Sequence, residues 1–294
     1  KENIKADRDY VVVVSDFSDE ESDDIMMNLK MDSDYYANAR RTVGDFVAEA
    51  KNKGFDKAWK AQKEWGNMRM ARTDLADVTG YTFLINGKSP QSNWTGLFKP
   101  GEKVRLRFIN ASAMSFFDVR IPGLKMSVVQ SDGQNVEPVK VDEFRFAPAE
   151  TYDVIVTPTE DKAYTIAAEP IDRNGFALGT LATTKGMKGE IPKQRKRATL
   201  TMADMNMAEM MKDDPDMEMT PADMISGWAK TGTPEGQKAL SYADLRYAGV
   251  QKDQRKPQRT IDVRLGGNME RYIWTINGKK FSEAEPIRLK YGER

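Results

Sequence analysis

The sequence predicts a mainly β protein, an antiparallel sandwich or barrel that carries a helical insertion near its start. Short β-branched and aromatic runs recur about every ten residues from Thr82 to Glu169, separated by Gly, Pro and Asn. Apolar residues at helical spacing occupy Thr42 to Gly66 instead. An earlier β-branched run, Tyr10 to Val14, indicates a buried strand that joins the same sheet, so the helices are an insertion between the first two strands.

The stretch after the first strand is acidic and reads SDEESDDIMMNLKM. Ser18 with Glu21 three residues later is the pattern of a capping box, and the acids place negative charge at the positive end of a helix. The cluster from Asp16 to Asp24 lacks the alternating oxygen ligands and central glycine of a calcium loop, which favours capping over a cation site. We expect two or three amphipathic helices between about residues 19 and 70.

Strand patterns follow from Ala76 to about Thr184. The run YTFLINGKSP alternates into a turn at Asn86-Gly87, and KPGEKVRLRFIN is a turn followed by an alternating strand. After this domain come a basic, turn-rich run, a methionine-rich segment, and a polar connection with one short helix near Tyr242. A pattern typical of a β-strand returns only at RTIDVRLGG.

Two parts of the chain resemble each other. TFLINGKSP…GLFKPGEKVRLRFIN, from Thr82, is echoed by IWTINGKKFSEAEPIRLKYGER, from Ile273: an aromatic-rich strand, Asn-Gly-Lys, a short link and a Gly-Glu turn. Such long-period similarity predicts a chain built from repeated domains, of which the second copy would be truncated at Arg294.

The composition excludes many kinds of chemistry. The chain has no histidine and no cysteine, so disulfides, thiolate catalysis, zinc ribbons, iron–sulfur clusters and Ser-His-Asp triads are ruled out. The formal net charge is +0, which implies no global field that would attract nucleic acid. Methionine, a soft ligand that suits reduced copper, is abundant, with 17 residues.

The chain is similar to a known family over most of its length. The Asn-Gly-Lys turn with GEKVRLRFIN resembles the hairpin of cupredoxin domains in multicopper oxidases. The stretches DRDYVVVVSDFSDE, SDYYANARRTVGDF, WGNMRMARTDLADVTGYTFLINGKSPQSNWTG and GNMERYIWTINGKKFSEAEPIRLKYGER resemble, more narrowly, the copper-resistance multicopper oxidases of the bacterial periplasm.

The resemblance implies a cupredoxin-like Greek-key β-sandwich with a helical insertion, plus the truncated start of another cupredoxin domain. Residues 1–200 would be the middle domain of the family, with its insertion at about 19–70. Residues 201–258 would be a Met-rich and polar linker, and residues 259–294 the opening strands of a further domain. We expect the residues of that half-domain to pair with the sheet of the main domain or with another copy of the chain.

The resemblance also implies a function. The whole protein would be a periplasmic oxidase that couples one-electron oxidation of cuprous ion or a phenol-like donor to reduction of dioxygen to water. Its copper centres are held in the family by histidines and one cysteine, which are absent here. We therefore expect this chain to be inactive without flanking cupredoxin domains, and to bind no tightly held copper cofactor.

The methionine-rich segment is the candidate metal site. It could hold Cu(I) through thioethers while nearby carboxylates attract the cation, and family members are thought to gather cuprous ions with such stretches. The alternative is flexible packing against the sandwich. The candidate ligands are Met202, Met205, Met207, Met210, Met211, Met217 and Met219, accompanied by Asp204, Glu209, Asp213, Asp214, Asp216 and Glu218.

Other motifs favour structural interpretations. The pairs Asp142 with Glu143 and Glu150 with Asp153 invite a glycosidase reading, but their spacing along strands favours structural surface charge. Trp94 and Trp274 could stack on sugars, yet a buried or interface aromatic is favoured for both. The basic run Lys193, Arg195, Lys196 and Arg197 lacks interleaved aromatics and is interpreted as a solvated linker.

Two further functional classes remain open at this level. One is a stand-alone β-sandwich that sequesters copper or binds carbohydrate. The other is a purely structural spacer between redox domains, which predicts no metal affinity.

Overall fold

The computed structural model describes residues 4–67, 71–205, 231–268 and 272–294. Two compact units are present, one formed by Lys1–Ser18 with Ala37–Ala248 and the other by Asp19–Tyr36 with Gly249–Arg294. The strands are β1 Arg8–Phe17, β2 Thr82–Ile85, β3 Trp94–Leu97, β4 Val104–Asn110, β5 Phe117–Arg120, β6 Met126–Ser131, β7 Gln134–Val141, β8 Glu143–Phe146, β9 Thr151–Val156, β10 Tyr164–Pro170, β11 Ala177–Ala182, β12 Leu265–Asn268 and β13 Ile273–Ile276. The helices are α1 Ser22–Met31, α2 Val43–Lys53 and α3 Phe55–Asn67.

The first unit is a two-layer β-sandwich. One sheet has the order β2-β1-β4-β9-β6-β7 and the other the order β3-β11-β10-β5-β8. Aromatic rings join the layers: Phe83 of β2 meets Phe117 of β5 with centroids 5.4 Å apart, and Phe108 of β4 meets Phe144 of β8 at 5.2 Å. The mainly β, cupredoxin-like class with a helical insertion is confirmed, and the strand predicted at Tyr10 to Val14 joins the six-stranded sheet as β1.

The sheets are mixed rather than purely antiparallel. Strand β1 pairs with β4 in parallel register, and β3 pairs with β11 in the same way. Crossover connections allow this, because the three helices, β2 and β3 lie between β1 and β4 along the chain, and β4 to β10 lie between β3 and β11. Alternation of apolar and polar residues along a strand indicates which face is buried, but it does not indicate the direction of the neighbouring strand. The expectation of antiparallel pairing was therefore wrong for these two pairs.

The predicted capping box at Ser18 and Glu21 was also wrong. Helix α1 begins at Ser22 with Glu21 as its N-cap residue, and no side chain caps it. Strand β1 continues to Phe17, which pairs with Thr82, so the chain is still leaving the sheet at Ser18. Asp16, counted with the acid cluster, accepts backbone N–H bonds from the loop at Ala113 to Ser115.

Helix α2 has the complete capping box instead. The Thr42 hydroxyl accepts the Asp45 N–H at 3.2 Å, and the Asp45 carboxylate accepts the Thr42 N–H at 2.8 Å. These backbone and side-chain bonds from Thr42 lower the pKa of Asp45.

The internal repeat is visible in the hydrogen bonds. Asn86 has a φ of 50° and its side chain accepts the Val13 N–H at 2.7 Å; Asn277 also has a φ of 50° and accepts the Arg264 N–H at 2.8 Å. In both copies the Asn-Gly turn closes a hairpin and hydrogen bonds to the strand before it.

The Gly-Glu turns repeat in the same way. Arg8 pairs with Glu102 at 2.9 Å, and Arg259 pairs with Glu293 at 2.8 Å. The second unit therefore repeats these contacts of the first, and its strands β12 and β13 form a two-stranded antiparallel sheet. That residues 259–294 open a further cupredoxin domain stays a prediction. The predicted pairing of this half-domain with the main sheet or with another copy stays a prediction.

No helix in the described ranges is long and apolar enough to cross a bilayer.

Candidate functional site

The predicted methionine ligands fall mostly outside the described residues. Met207, Met210, Met211, Met217 and Met219 lie in the range 206–230, as do Glu209, Asp213, Asp214, Asp216 and Glu218. The backbone of Met202 and Met205 forms a short 3₁₀ turn at the start of this segment. Asp204, one of the predicted cation-attracting carboxylates, accepts the Thr201 N–H at 2.6 Å and so serves as part of that turn.

The chain is fixed just before the segment, at an entry anchor formed by Leu200 and its neighbours. Leu200 is buried with Trp65 of α3 and Leu75. Its N–H donates to the Arg72 carbonyl at 2.7 Å, and the Arg72 guanidinium lies 5.9 Å from the centroid of the Trp65 ring. The helical insertion thus holds the entry to the methionine-rich segment.

Glu49 of α2 extends this entry anchor. Its carboxylate pairs with Arg72 at 3.0 Å, with Lys53 at 3.2 Å and with Arg41. Burial by itself would raise the pKa of Glu49, but Arg41, Lys53 and Arg72 outweigh it, and the pKa is lowered. The carboxylate therefore stays ionised and keeps Arg72 in place against the chain at Leu200.

The chain is fixed again just after the segment, at an exit anchor formed by Thr231 and Thr233. The Thr231 carbonyl accepts Arg173 Nη2 at 2.8 Å and Arg195 Nη1 at 2.9 Å. The Thr233 hydroxyl donates to Glu143 of β8 at 3.0 Å. Both ends of residues 206–230 are thereby attached to the same sandwich unit.

The chain after the exit anchor runs along sheet edges. The Leu240 N–H donates to the Glu143 carbonyl at 2.8 Å, beside edge strand β8. Further on, the Glu137 N–H of edge strand β7 donates to the Arg246 carbonyl at 2.8 Å. Strand edges expose unpaired backbone groups, and covering them prevents unwanted pairing. The predicted short helix is present nearby as a 3₁₀ turn, Tyr242–Asp244.

A buried charge network lies behind the exit anchor. Asp118 of β5 is fully buried and pairs with Arg145 at 2.6 Å and with Arg173 at 2.7 Å. Glu169 of β10 is also fully buried and accepts Arg120 at 2.6 Å. These pairs connect β5, β8 and β10 to the residues that hold Thr231.

In the basic run, Arg195 and Arg197 are docked against the protein while Lys193 and Lys196 are exposed, so the solvated-linker interpretation was wrong for the two arginines. Arg195 pairs with Glu143 at 2.5 Å, and its N–H donates to Glu169 at 2.8 Å. Arg197 donates to the Thr73 carbonyl at 2.9 Å, and burial lowers the pKa of its guanidinium. The available signal in the sequence was the charged residues that alternate with apolar residues in the strands. A charged side chain that is buried needs a partner, and arginines of this run are such partners.

The carboxylate pairs are structural, as expected, but Glu143 and Asp153 are buried rather than at the surface. Glu143 is occupied by Arg195 and Thr233, and Asp153 of β9 accepts Arg105 Nε at 2.9 Å. Two carboxylates that flank a substrate would need open space between them. The glycosidase reading has no support in these contacts.

The two tryptophans differ. Trp94 packs against the sandwich core, edge-on to Tyr10 with centroids 5.6 Å apart, as the buried interpretation predicted. Trp274 in β13 is exposed, so it is not a buried aromatic, and the interface alternative stays a prediction. It belongs to the two-stranded sheet of the second unit.

The donor groups of this chain do not fit the copper centres that multicopper oxidases use. Those centres need imidazole and thiolate ligands, and the sequence has neither. Among the described residues, no cluster of three or more Asp or Glu side chains could hold a metal ion instead. Thioethers are the remaining soft ligands.

The mixed-sheet sandwich with its repeated hairpin defines the class of protein as cupredoxin-like. The family model for multicopper oxidases matches residues 8–186, more than half of the chain, and the chain belongs to that family. A copper resistance protein A homolog of Pseudomonas syringae pv. tomato is 45% identical over 98% of this chain and 58% of its own length. Copper resistance protein A of Escherichia coli is 42% identical over 98% of this chain and 59% of its own length.

The chain spans about three fifths of the length of these relatives. Among solved structures, Fet3p, described as a multicopper oxidase that functions in iron import, aligns with a TM-score of 0.51 and 13% identity over 93% of this chain and 40% of its own. The laccase of Botrytis aclada aligns with a TM-score of 0.51 and 16% identity over the same shares. These two structures support the fold.

Proposed function

We propose that this chain is the central portion of a periplasmic copper-resistance multicopper oxidase. The 45% identity to a copper resistance protein A homolog over 98% of the chain is the observation that carries this proposal. The whole protein would oxidise Cu(I) or phenol-like donors. Four one-electron oxidations balance the reduction of one dioxygen, with four protons, to two waters.

In this proposal the resident copper centres belong to flanking cupredoxin domains. Cupredoxin-type copper sites take imidazole and thiolate ligands, and this chain offers none. The chain by itself is therefore inactive as an oxidase, and its contribution is to present substrate.

The methionine-rich segment, Met202 to Met219, is proposed as the place where cuprous ion is gathered as substrate. Thioethers bind Cu(I) and have little affinity for harder cations. The carboxylates of the segment raise the local concentration of cations. The entry anchor at Leu200 and the exit anchor at Thr231 support this role, because they keep a chain of soft ligands attached to the sandwich.

An anaerobic competition titration tests the proposal. The chain and a chromogenic Cu(I) chelator compete for the ion, and the titration is repeated with Met202, Met205, Met207, Met210, Met211, Met217 and Met219 all changed to leucine. A matched control changes Met126, which is fully buried in the sandwich core, to leucine. We expect the sevenfold variant to lose copper equivalents that the wild-type chain and the control both bind.

The fold must be shown to survive the substitutions. Far-UV circular dichroism should be identical in the three proteins, since leucine is close to methionine in volume. Equal copper binding by the wild-type chain and the sevenfold variant would overturn the proposed role of the segment.

A further inference from the structure

The exposed methionines of the described structure are concentrated on one helix. Met26, Met27 and Met31 of α1 are 42%, 55% and 71% exposed. Elsewhere in the chain, the methionine side chains that the structure describes are buried or partly buried. Met126 packs in the hydrophobic core, an explanation that exposed methionines such as those of α1 do not have.

The helix places two of the three methionines together. Met27 and Met31 are four residues apart, so their Cβ atoms are separated by about 5–6 Å on one helix face. At 100° per residue, this face is nearly opposite Leu29, the buried residue of α1, which is 1% exposed. Met26 lies between the two faces and points away from this pair.

Acidic residues flank the methionine pair. Asp23 and Asp24, in the first turn, are four and three residues before Met27 and are exposed. Their charge lies where the helix dipole favours it and adds a negative potential beside the two thioethers. A monovalent soft cation would meet both attraction and suitable ligands on this face.

The helix that carries these side chains is fixed at its end. The Asn28 amide donates to the Tyr36 hydroxyl at 2.9 Å and to Glu20 at 2.7 Å, and the Asp32 N–H donates to the Asn28 carbonyl at 2.9 Å. These contacts tie α1 to the chain on both sides of it. The positions of Met27 and Met31 on α1 are therefore defined, while their three rotatable bonds let both sulfurs reach one ion.

We propose that Met27 and Met31 form a second Cu(I) site, on the outer face of α1, with the carboxylates of Asp23 and Asp24 supplying charge. Cuprous ion is the class of ligand that two thioethers select. The site binds the ion without any change of oxidation state. It needs neither the methionine-rich segment nor a catalytic copper centre, so it stands even where the proposed function fails.

The test uses the full chain in which the seven methionines from Met202 to Met219 are leucine, so that the segment contributes nothing. This protein is titrated anaerobically with Cu(I) against a chromogenic chelator, alone and with Met27→Leu and Met31→Leu added. We expect it to retain one bound Cu(I), whose affinity falls at least tenfold in the added double variant. Met26→Leu is the matched control on the same helix and should change nothing.

A second readout locates the ion. With ¹³C-methyl methionine labelling, Ag(I) serves as a diamagnetic soft cation, and the Met27 and Met31 methyl resonances should shift together while that of Met126 stays fixed. Absence of Cu(I) binding in the sevenfold variant, or binding that survives the double substitution, would overturn the proposal. Loss of binding in the wild-type chain after Met27→Leu and Met31→Leu, with the segment intact, would instead count against the segment.

Discussion

Replacing Asp118 with asparagine should destabilise the sandwich unit by about 3–5 kcal/mol. The Asp118 side chain is 0% exposed and both of its oxygens are used. Arg145 donates to them at 2.6 and 2.9 Å, and Arg173 pairs at 2.7 Å. Asparagine keeps the shape of the side chain and removes its charge, which leaves two buried or half-buried guanidinium groups facing an amide.

The magnitude follows from that arrangement. Each charge-assisted hydrogen bond contributes about 1.5–3 kcal/mol, and the single oxygen of asparagine can still accept one or two of the three. Removing one partner of a buried ion pair also leaves the desolvation cost of the remaining charges, which brings the total to roughly 3–5 kcal/mol. Because Arg173 also holds the Thr231 carbonyl, the exit anchor should loosen in the same variant.

Urea unfolding, followed by tryptophan fluorescence and far-UV circular dichroism, measures the effect. The urea concentration at the unfolding midpoint should fall, with little change in the slope of unfolding free energy against urea concentration. Limited proteolysis should be faster near Thr231. Glu160→Gln is the control, since its pair with Lys162 is exposed to solvent and its loss should leave the midpoint unchanged. A shift for Asp118→Asn no larger than that of the control would refute the argument that this network holds the fold together.

Two further predictions concern the entry anchor, and a third concerns a glycine that lies against β10. The pKa of Glu49 is lowered in the folded state, so the stabilisation that the ionised carboxylate provides is present above its ordinary pKa of 4.5 and is lost as the pH falls through the folded value. The difference in urea midpoint between the wild-type chain and Glu49→Gln should therefore become smaller below pH 4.5. A difference that does not change with pH would contradict this prediction. Leu200→Ala should cost about 2–5 kcal/mol of unfolding free energy by calorimetry and expose the entry anchor to protease, whereas unchanged cleavage would argue against that anchor. Gly189→Ala would place a Cβ 2.7 Å from the Thr165 backbone nitrogen and should cost about 1–3 kcal/mol, measured by thermal unfolding; a neutral result would show that this stretch can move away from β10.

The features that could be predicted from sequence are those that short-range chemistry determines. The Asn86-Gly87 turn needs positive φ at two successive residues, a demand that few residue types meet, and the same turn is repeated at Asn277. Strand β1 could be predicted because a β-branched run bounded by polar residues is typical of a buried strand.

Features that depend on distant parts of the chain were missed. The parallel pairing of β1 with β4 depends on a long crossover that includes the helical insertion, β2 and β3, and alternation cannot reveal it. Glu143, Asp153 and Arg195 were read as solvated because charge is usually at the surface. Asp153 pairs with Arg105, 48 residues away, and Glu143 pairs with Arg195, 52 residues away, so no local pattern in the sequence predicts these pairs.

The candidate metal site divides in the same way. The abundance of methionine and the absence of histidine and cysteine could be read from the composition. Together they predict that any metal site uses thioether ligands and binds a soft ion such as Cu(I). The pair at Met27 and Met31 needed the structure, because only the burial of Leu29 shows that the two thioethers face outward. Sequence alone makes them indistinguishable from methionines that pack a helix onto a core.

Attachment at both Leu200 and Thr231 has an evolutionary consequence. For a chain pinned at two points, each doubling of the intervening length costs only about 0.6 kcal/mol of closure entropy, a small amount beside the burial of Leu200. Methionines can therefore be added or deleted between these two points almost independently of the stability of the sandwich. Under the proposed Cu(I)-gathering role, selection by metal exposure can then adjust the number of soft ligands while the sandwich stays the same.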